Sequence, residues 1–227
     1  MGGLQAKLIN RAKNIQGSYV LKIKKPLDES ILRDLKSKNI VFTREFELEL
    51  LLKYKSYLTP VVVHGVDPST YLPQEFAKST GKSVRESFDG IVLPMQLAYK
   101  VGVLEGDSVQ LISPTHVDTF LSDIPRSVSA EILSTVNFDV PEIDGFHLWV
   151  KLSKIQNLTR LKTYNTLRIY GPLSNSQKQF LENFGDLDSW EKMNQSLVYA
   201  LNLESTVMIF YLVRCLYWFL FVFRRDF

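Results

Sequence analysis

In SYVLKIKK (residues 18–25) Leu21 and Ile23 alternate with Lys22 and Lys24, the two-residue period of a half-buried strand, and Pro26 stops it. Asp28 is placed to cap a helix over Glu29 to Lys38, with Ile31, Leu32 and Leu35 on one face. Period two returns in IVFTREFELELLLKY (40–54), where Phe46, Leu48 and Leu50 alternate with glutamates. YLTPVVVHGVDP (57–68) is a further strand, closed by Asp67-Pro68. The pattern so far predicts strand, helix, strand, strand.

STYLPQEFAKS (69–79) reads as a short helix or turn, and GIVLP (90–94) as a brief buried strand. Pro94 suits the first turn of a helix, where no N–H is needed. Met95 to Val101 continue that helix and Gly102 ends it. DSVQLIS (107–113) and SVSAEILSTVNF (127–138) are strands. The segment between them, PTHVDTFLSDIPR (114–126), is longer than the about two to five residues of tight hairpins. Its Val117, Phe120, Leu121 and Ile124 either fold back on the core or form an exposed apolar tip. Pro114 and Pro125 cannot donate ladder hydrogen bonds, so pairing is expected to stop at both, with the loop leaving the sheet.

GFHLWVKLSKIQNL (145–158) runs from strand into helix, and NTLRIYG (165–171) is a strand. Pro172 and Ser174 open a helix through Phe184 that Gly185 ends. Asp188 and Glu191 make a D-x-x-E start for one continuous helix from Trp190 to about Phe223. Trp190, Met193, Leu197, Ala200 and Leu201 recur in it at helical spacing. Val207 to Phe223 is then apolar except for Arg214. A membrane span wants about 20 apolar residues, and arginine at mid-bilayer costs between about 3 and more than 10 kcal/mol. A soluble helix that is apolar all round, with Tyr211 and Trp218 in it, fares worse, so the segment reads as membrane-directed.

Composition changes this picture little. The 227 residues, 45% hydrophobic and 22% charged, fit a folded chain of one or two domains. A net charge of +3 is too small to point to nucleic acid. Met1 to Gly65 hold 12 Lys/Arg against 6 Asp/Glu, which is a solvated face or a surface for anionic lipid headgroups. MGGLQAKLINRAK has no signal-peptide apolar core, and Ala6 stands where a myristoylation signal has Ser or Thr. Residues 1–17 do predict a basic amphipathic helix, with Leu4, Leu8 and Ile15 on one side and Lys7 and Arg11 on another.

Candidate chemistry is sparse. Cys215 is the sole cysteine. His64, His116 and His147 lie far apart in sequence without zinc-ligand spacing, so neither metal nor cofactor is expected. A hydrolase would draw on Asp67, Asp89, Asp107 and Glu142, or on Ser113 with His116. Ser113 lacks the G-x-S-x-G elbow, and Asp89 and Asp107 sit beside Gly90 and Gly106, where turns favour Asp anyway. An enzyme is therefore not expected.

Four stretches carry a family resemblance: HGVDP (64–68), GIVLPMQLAYKVGVLEGDSVQLISP (90–114), DVPEIDGFHLWV (139–150) and WEKMNQSLVYALNLESTVM (190–208). In order and spacing they resemble the large periplasmic domain of the C- and E-type permease subunits of bacterial lipoprotein-releasing (Lol) ABC transporters, within the broader MacB/FtsX-like permease family. The resemblance implies an α+β fold. An α/β porter region (about 18–66 and 151–189) holds an inserted β-rich sabre region (about 67–150), followed by a C-terminal hydrophobic helix at 190–227. It implies a domain without chemistry of its own, which releases lipoproteins from the inner membrane to a periplasmic carrier. A separate ATP-binding subunit would hydrolyse ATP, and a second permease subunit and membrane lipid would be its other partners.

The resemblance also gives the long loop a role. Its position matches the hook of the C-type subunit, which grips the carrier; here that implies Pro114, Val117, Phe120, Leu121, Ile124, Pro125 and Arg126. Beyond Met208 the chain departs from the family: FYLVRCLYWFLFVFRRDF replaces smooth aliphatic residues and reads as a truncated or frameshifted membrane helix. A lone C-terminal anchor would leave the domain cytoplasmic, whereas the family places it in the periplasm. The competing readings are a MacB/FtsX-like permease domain with another cargo or partner, a non-functional fragment, and a membrane-anchored hydrolase.

Overall fold

The computed structural model describes residues 2–72, 88–118, 124–138 and 140–223. Its elements run α1 (Gly2–Gln16), β1 (Tyr19–Ile23), α2 (Glu29–Ser37), β2 (Val41–Tyr54), β3 (Tyr57–Val66), β4 (Ile91–Pro94), α3 (Met95–Val101), β5 (Ser108–Asp118) and β6 (Ile124–Val136). They continue with α4 (Pro141–Phe146), β7 (His147–Lys151), α5 (Leu152–Thr159), β8 (Thr166–Tyr170), α6 (Asn175–Glu182), β9 (Gly185–Ser189), α7 (Trp190–Met193) and α8 (Gln195–Phe223). The fold is α+β, as expected. The helix or turn expected at 69–79 falls largely outside the described residues.

The nine strands among the described residues belong to one mixed sheet, ordered β3-β7-β4-β6-β5-β2-β8-β1-β9, and β3 also pairs with β2. That extra pairing closes β2, β3, β7, β4, β6 and β5 into a ring. Its length makes β2 the pivot. Leu51 to Lys53 pair with β3 on one edge and with β5 on the other, while Val41 to Glu45 pair with β8. The ring is filled by Leu50, Leu52, Val61, Val63, Ile91, Leu93, Leu111, Ile132 and Leu148, with Leu97 of α3 and Ile155 of α5. A second core lies where β1, β8 and the start of β2 carry α2 and α6; Leu21, Leu32, Leu35, Phe42, Ile169 and Leu181 make it.

A third core forms the base of the molecule. Ala12 and Ile15 of α1, Val136 at the end of β6, Phe138, Ile143, Trp149 and Trp190 are buried together there. On α1, Ala12 and the expected Ile15 are buried with Ile9 packed beside them, while the side chains of Leu4 and Leu8 lie outside those described.

Several local expectations shift by a residue or an element. Pro94 is the extended N-cap of α3 (φ −63°, ψ 144°) and not its first turn, because it still pairs with Val136 in the sheet. Gly102 ends α3 in left-handed backbone (φ 75°), as its position predicts. Asp28 caps α2 by backbone alone, whereas Ser174 and Gln177 complete a reciprocal capping box on α6. Gly185 does not end a helix; it starts β9, which the alternation did not reveal. A Cβ there would lie 1.9 Å from the Lys22 carbonyl oxygen, so the strand approach requires glycine. Consequently Asp188 lies within β9, and its carboxylate binds Lys192. The cap of the following helix is Ser189, which accepts from the Lys192 N–H. That helix is also not continuous from Trp190: Asn194 (φ −111°, ψ 40°) separates α7 from α8.

Candidate functional site

Two features are candidate sites: the β5–β6 hairpin and the base where α1 meets α7. In the hairpin, Ser108 to Ile112 pair regularly with Glu131 to Ser127. Pairing then skips and resumes at Val117 opposite Pro125 and Asp118 opposite Ile124. The expectation that pairing stops at Pro114 and Pro125 is thus corrected. Residues 113–116 form a bulge in which Pro114 needs no partner, and the ladder continues beyond it. Ser113 holds the bulge: its hydroxyl accepts the His116 N–H (3.2 Å) and bonds His116 Nδ1 (2.8 Å). Fully buried and so engaged, Ser113 serves the turn.

Of the residues implied for carrier binding, Ile124 is 56% exposed, Pro114 and Pro125 are exposed, and Val117 is half-buried. Phe120 and Leu121 lie outside the described residues. Arg126 is tied down: its Nε donates to Asp118 (3.1 Å) and its Nη1 to the Thr159 carbonyl (3.4 Å). Asp118 also pairs with Arg160 (2.9 Å). These bonds lash the hairpin to the end of α5 and fix its direction.

Of the carboxylates considered for hydrolysis, Asp67, Asp107 and Asp89 serve a turn or a pair, and the side chain of Glu142 lies outside those described. Asp67 accepts the Ser69 N–H and pairs with Arg44 (2.5 Å). Asp107 accepts the Leu104 N–H and the Tyr54 hydroxyl. Asp89 is exposed near Lys154.

The base contains an ionic cluster that sequence reasoning missed. Arg168, central in β8, is buried; its Nε donates to both oxygens of Glu45 (2.9 and 3.0 Å) and its Nη2 to Glu47 (3.2 Å). Its Nη1 donates to the carbonyl of Gln16, the last residue of α1. Burial pushes the Glu45 carboxyl up, but the Arg168 guanidinium and His64 outweigh burial and hold it at about 2. Burial likewise opposes the charge on Arg168, and Glu45 more than restores it. Arg168 Nη2 also reaches His64 Nδ1 (3.4 Å), and His64 Nε2 lies 2.8 Å from His147 Nδ1. Far apart in sequence, the two histidines meet because β3 and β7 pair in parallel. Burial, His64 and Arg168 hold His147 down to about 3, so its imidazole is neutral. Both rings stack with Trp149. Donor atoms of Glu45, Glu47 and His64 lie within 4.8 Å of one another. The Arg168 guanidinium already holds the cationic position among them. The one sequence signal for the cluster was an arginine in the apolar run TLRIY.

Above this cluster the end of α1 is clasped to α7 and the start of α8. Gln16 Oε1 accepts from Trp190 Nε1 (2.7 Å) and Asn194 Nδ2 (3.2 Å). Asn194 Nδ2 also donates to the Trp190 carbonyl, and Lys13 pairs with Glu191 (2.5 Å). A cavity of about 240 Å³ lies beneath, lined by Gln16, Lys22, His147, Arg168, Met193 and Asn194 among others. From this clasp α8 leaves the domain. Leu197 and Val198 pack on the base core. Beyond them Ile209, Phe210, Tyr211 and Val213 are exposed. Within Gln195–Cys215 an 18-residue window has mean hydropathy 1.5, and none of that window is buried within the molecule. Among the described residues it is the one helix long and apolar enough to cross a membrane.

No protein-family model matches the chain, and a search of curated proteins gives no match. Among solved structures it is similar to the extracellular domain of the noncanonic ABC-type transporter YknZ from Gram-positive bacteria, with 11% identity and a TM-score of 0.43 over 72% of this chain and 87% of that one. It is also similar to the periplasmic region of MacB from Actinobacillus actinomycetemcomitans, with 10% identity and a TM-score of 0.47 over 84% of this chain and 97% of that one.

Proposed function

We propose that the chain is the extracytoplasmic domain of an ABC transporter permease that releases lipoproteins from the inner membrane to a periplasmic carrier. The observation that carries this reading is the course of β6. It starts at Ile124 beside the hairpin tip and ends at Val136 in the base core that holds Trp190. At about 3.3 Å per residue the strand links tip and base over roughly 40 Å. Motion of α8 in a membrane would reach the base through the Trp190–Gln16–Arg168 clasp and the hairpin through one rigid strand. Such a body transmits motion and needs no catalytic group; ATP hydrolysis belongs to a separate subunit. The four stretches that resemble the lipoprotein-releasing permeases supply the cargo in this reading. The exposed Ile124 and Pro125, held by the Arg126–Asp118–Arg160 pairs, supply the contact for the carrier.

The test is carrier binding by the full chain in detergent or nanodiscs. Purified periplasmic lipoprotein carrier should bind, and Ile124→Asp should weaken the complex about tenfold or more while leaving thermal stability unchanged. No binding by the wild-type chain would reassign the hairpin to another partner and favour a MacB/FtsX-like permease with a different cargo.

A further inference from the structure

Resting on the reading of α8 as a membrane helix, we infer that Arg214 is the docking point for a second membrane helix that bears a carboxylate at mid-depth. The position of Arg214 in α8 carries the inference. The first turns of the helix belong to the domain or its surface: Leu197 and Val198 pack on the base core, and Gln195, Asn202, Glu204 and Thr206 are polar. Seating the span at Gln195–Cys215 would bury Asn202 and Glu204 near mid-depth, with Arg214 at its end. Seating it at Val207–Phe223 buries Arg214 alone, which is the less costly placement. The helix continues unbroken through Phe223. At 1.5 Å per residue, Arg214 then stands about 10 Å from the Val207 end and about 13 Å from the Phe223 end. Both distances exceed what an extended arginine side chain spans, so snorkelling does not relieve the charge.

The charge has to be met within the bilayer. Arg214 is exposed, and among the described residues it forms no ion pair. Its neighbours Phe210, Tyr211 and Val213 are exposed as well. A second copy of this helix cannot answer it, because no Asp or Glu stands between Val207 and Phe223. The partner is therefore a different helix. Arginine's planar fork matches a carboxylate through two parallel hydrogen bonds, so Asp or Glu is the complementary group.

Cys215, the only cysteine, is exposed beside Arg214 and reports on such a neighbour. The full chain is reconstituted into phosphatidylcholine vesicles with a lysine-flanked leucine/alanine helix of bilayer length. That helix carries one central Glu, Gln or Leu and one adjacent cysteine. Flotation after alkaline extraction comes first: a chain that does not float overturns the membrane reading and this inference with it. Given flotation, disulfide formation with Cys215 under a copper–phenanthroline oxidant should be about tenfold or more faster for the Glu helix than for the Leu helix. Arg214→Leu should abolish that preference, and Arg214→Glu should transfer it to a helix with central Lys. Equal rates for Glu and Leu, or for Glu and Gln, would overturn the carboxylate partner while leaving the membrane reading in place.

Discussion

Arg168 and Glu45 are opposite charges with almost no access to water, so each depends on the other. Removing one partner strands the second: Glu45→Ala should cost about 3–5 kcal/mol in chemical denaturation of the detergent-solubilised chain. Acid acts on the cluster through two groups with different windows. His147 is held at about 3 against its ordinary 6.5, so the unfolded chain takes up its proton first. Stability therefore falls as pH drops from 6.5 towards 3, by at most roughly 1.4 kcal/mol per pH unit. Glu45 is held at about 2 against 4.5, so its contribution is complete above pH 4.5 and is lost as pH falls towards 2. His147→Gln should flatten the melting temperature between pH 6.5 and 4.5 and keep the steeper loss below; an unchanged profile would remove His147 from this account. Arg168 was conspicuous in the sequence as a charge inside an apolar strand. Its partners were not, since Glu45 stands 123 positions away and only β2–β8 pairing makes them neighbours.

Among the elements, the clasp of α1 with α7 and α8 turns on one amide. Gln16→Ala leaves the Trp190 indole N–H and the Asn194 amide without their acceptor and should cost about 1–3 kcal/mol. Gly102→Ala meets open space but must hold a left-handed residue, for about 1–2 kcal/mol. Elements governed by local rules were legible: β1, α2, β2, β3, α3 and the helix opened at Ser174 follow from spacing and caps. β9 was not, because GDLDS has no apolar alternation and is a strand only through pairing with β1. The hairpin was misread for a related reason. Two prolines argue against pairing, and a bulge that excuses Pro114 from the ladder cannot be read from sequence.

At the scale of the whole molecule, the α+β class and the apolar C-terminal helix were legible in the chain, while closure of six strands through the β2–β3 pairing was not. Closure depends on both edges of one long strand being used, and alternation reports faces, not edges. Because none of the described side chains of α8 beyond Glu204 joins the cores, removing that part should yield a soluble, monodisperse domain with its cooperative unfolding intact; persistent aggregation would show that the domain needs the helix. The central claim is an extracytoplasmic body carried on a membrane-crossing helix. Protease accessibility of the chain in the cells that make it tests this most directly. The account predicts that the domain is digested in spheroplasts and protected in inverted inner-membrane vesicles, with a short membrane-embedded fragment of α8 resisting alkaline extraction. A domain protected in spheroplasts and digested in inverted vesicles would contradict it.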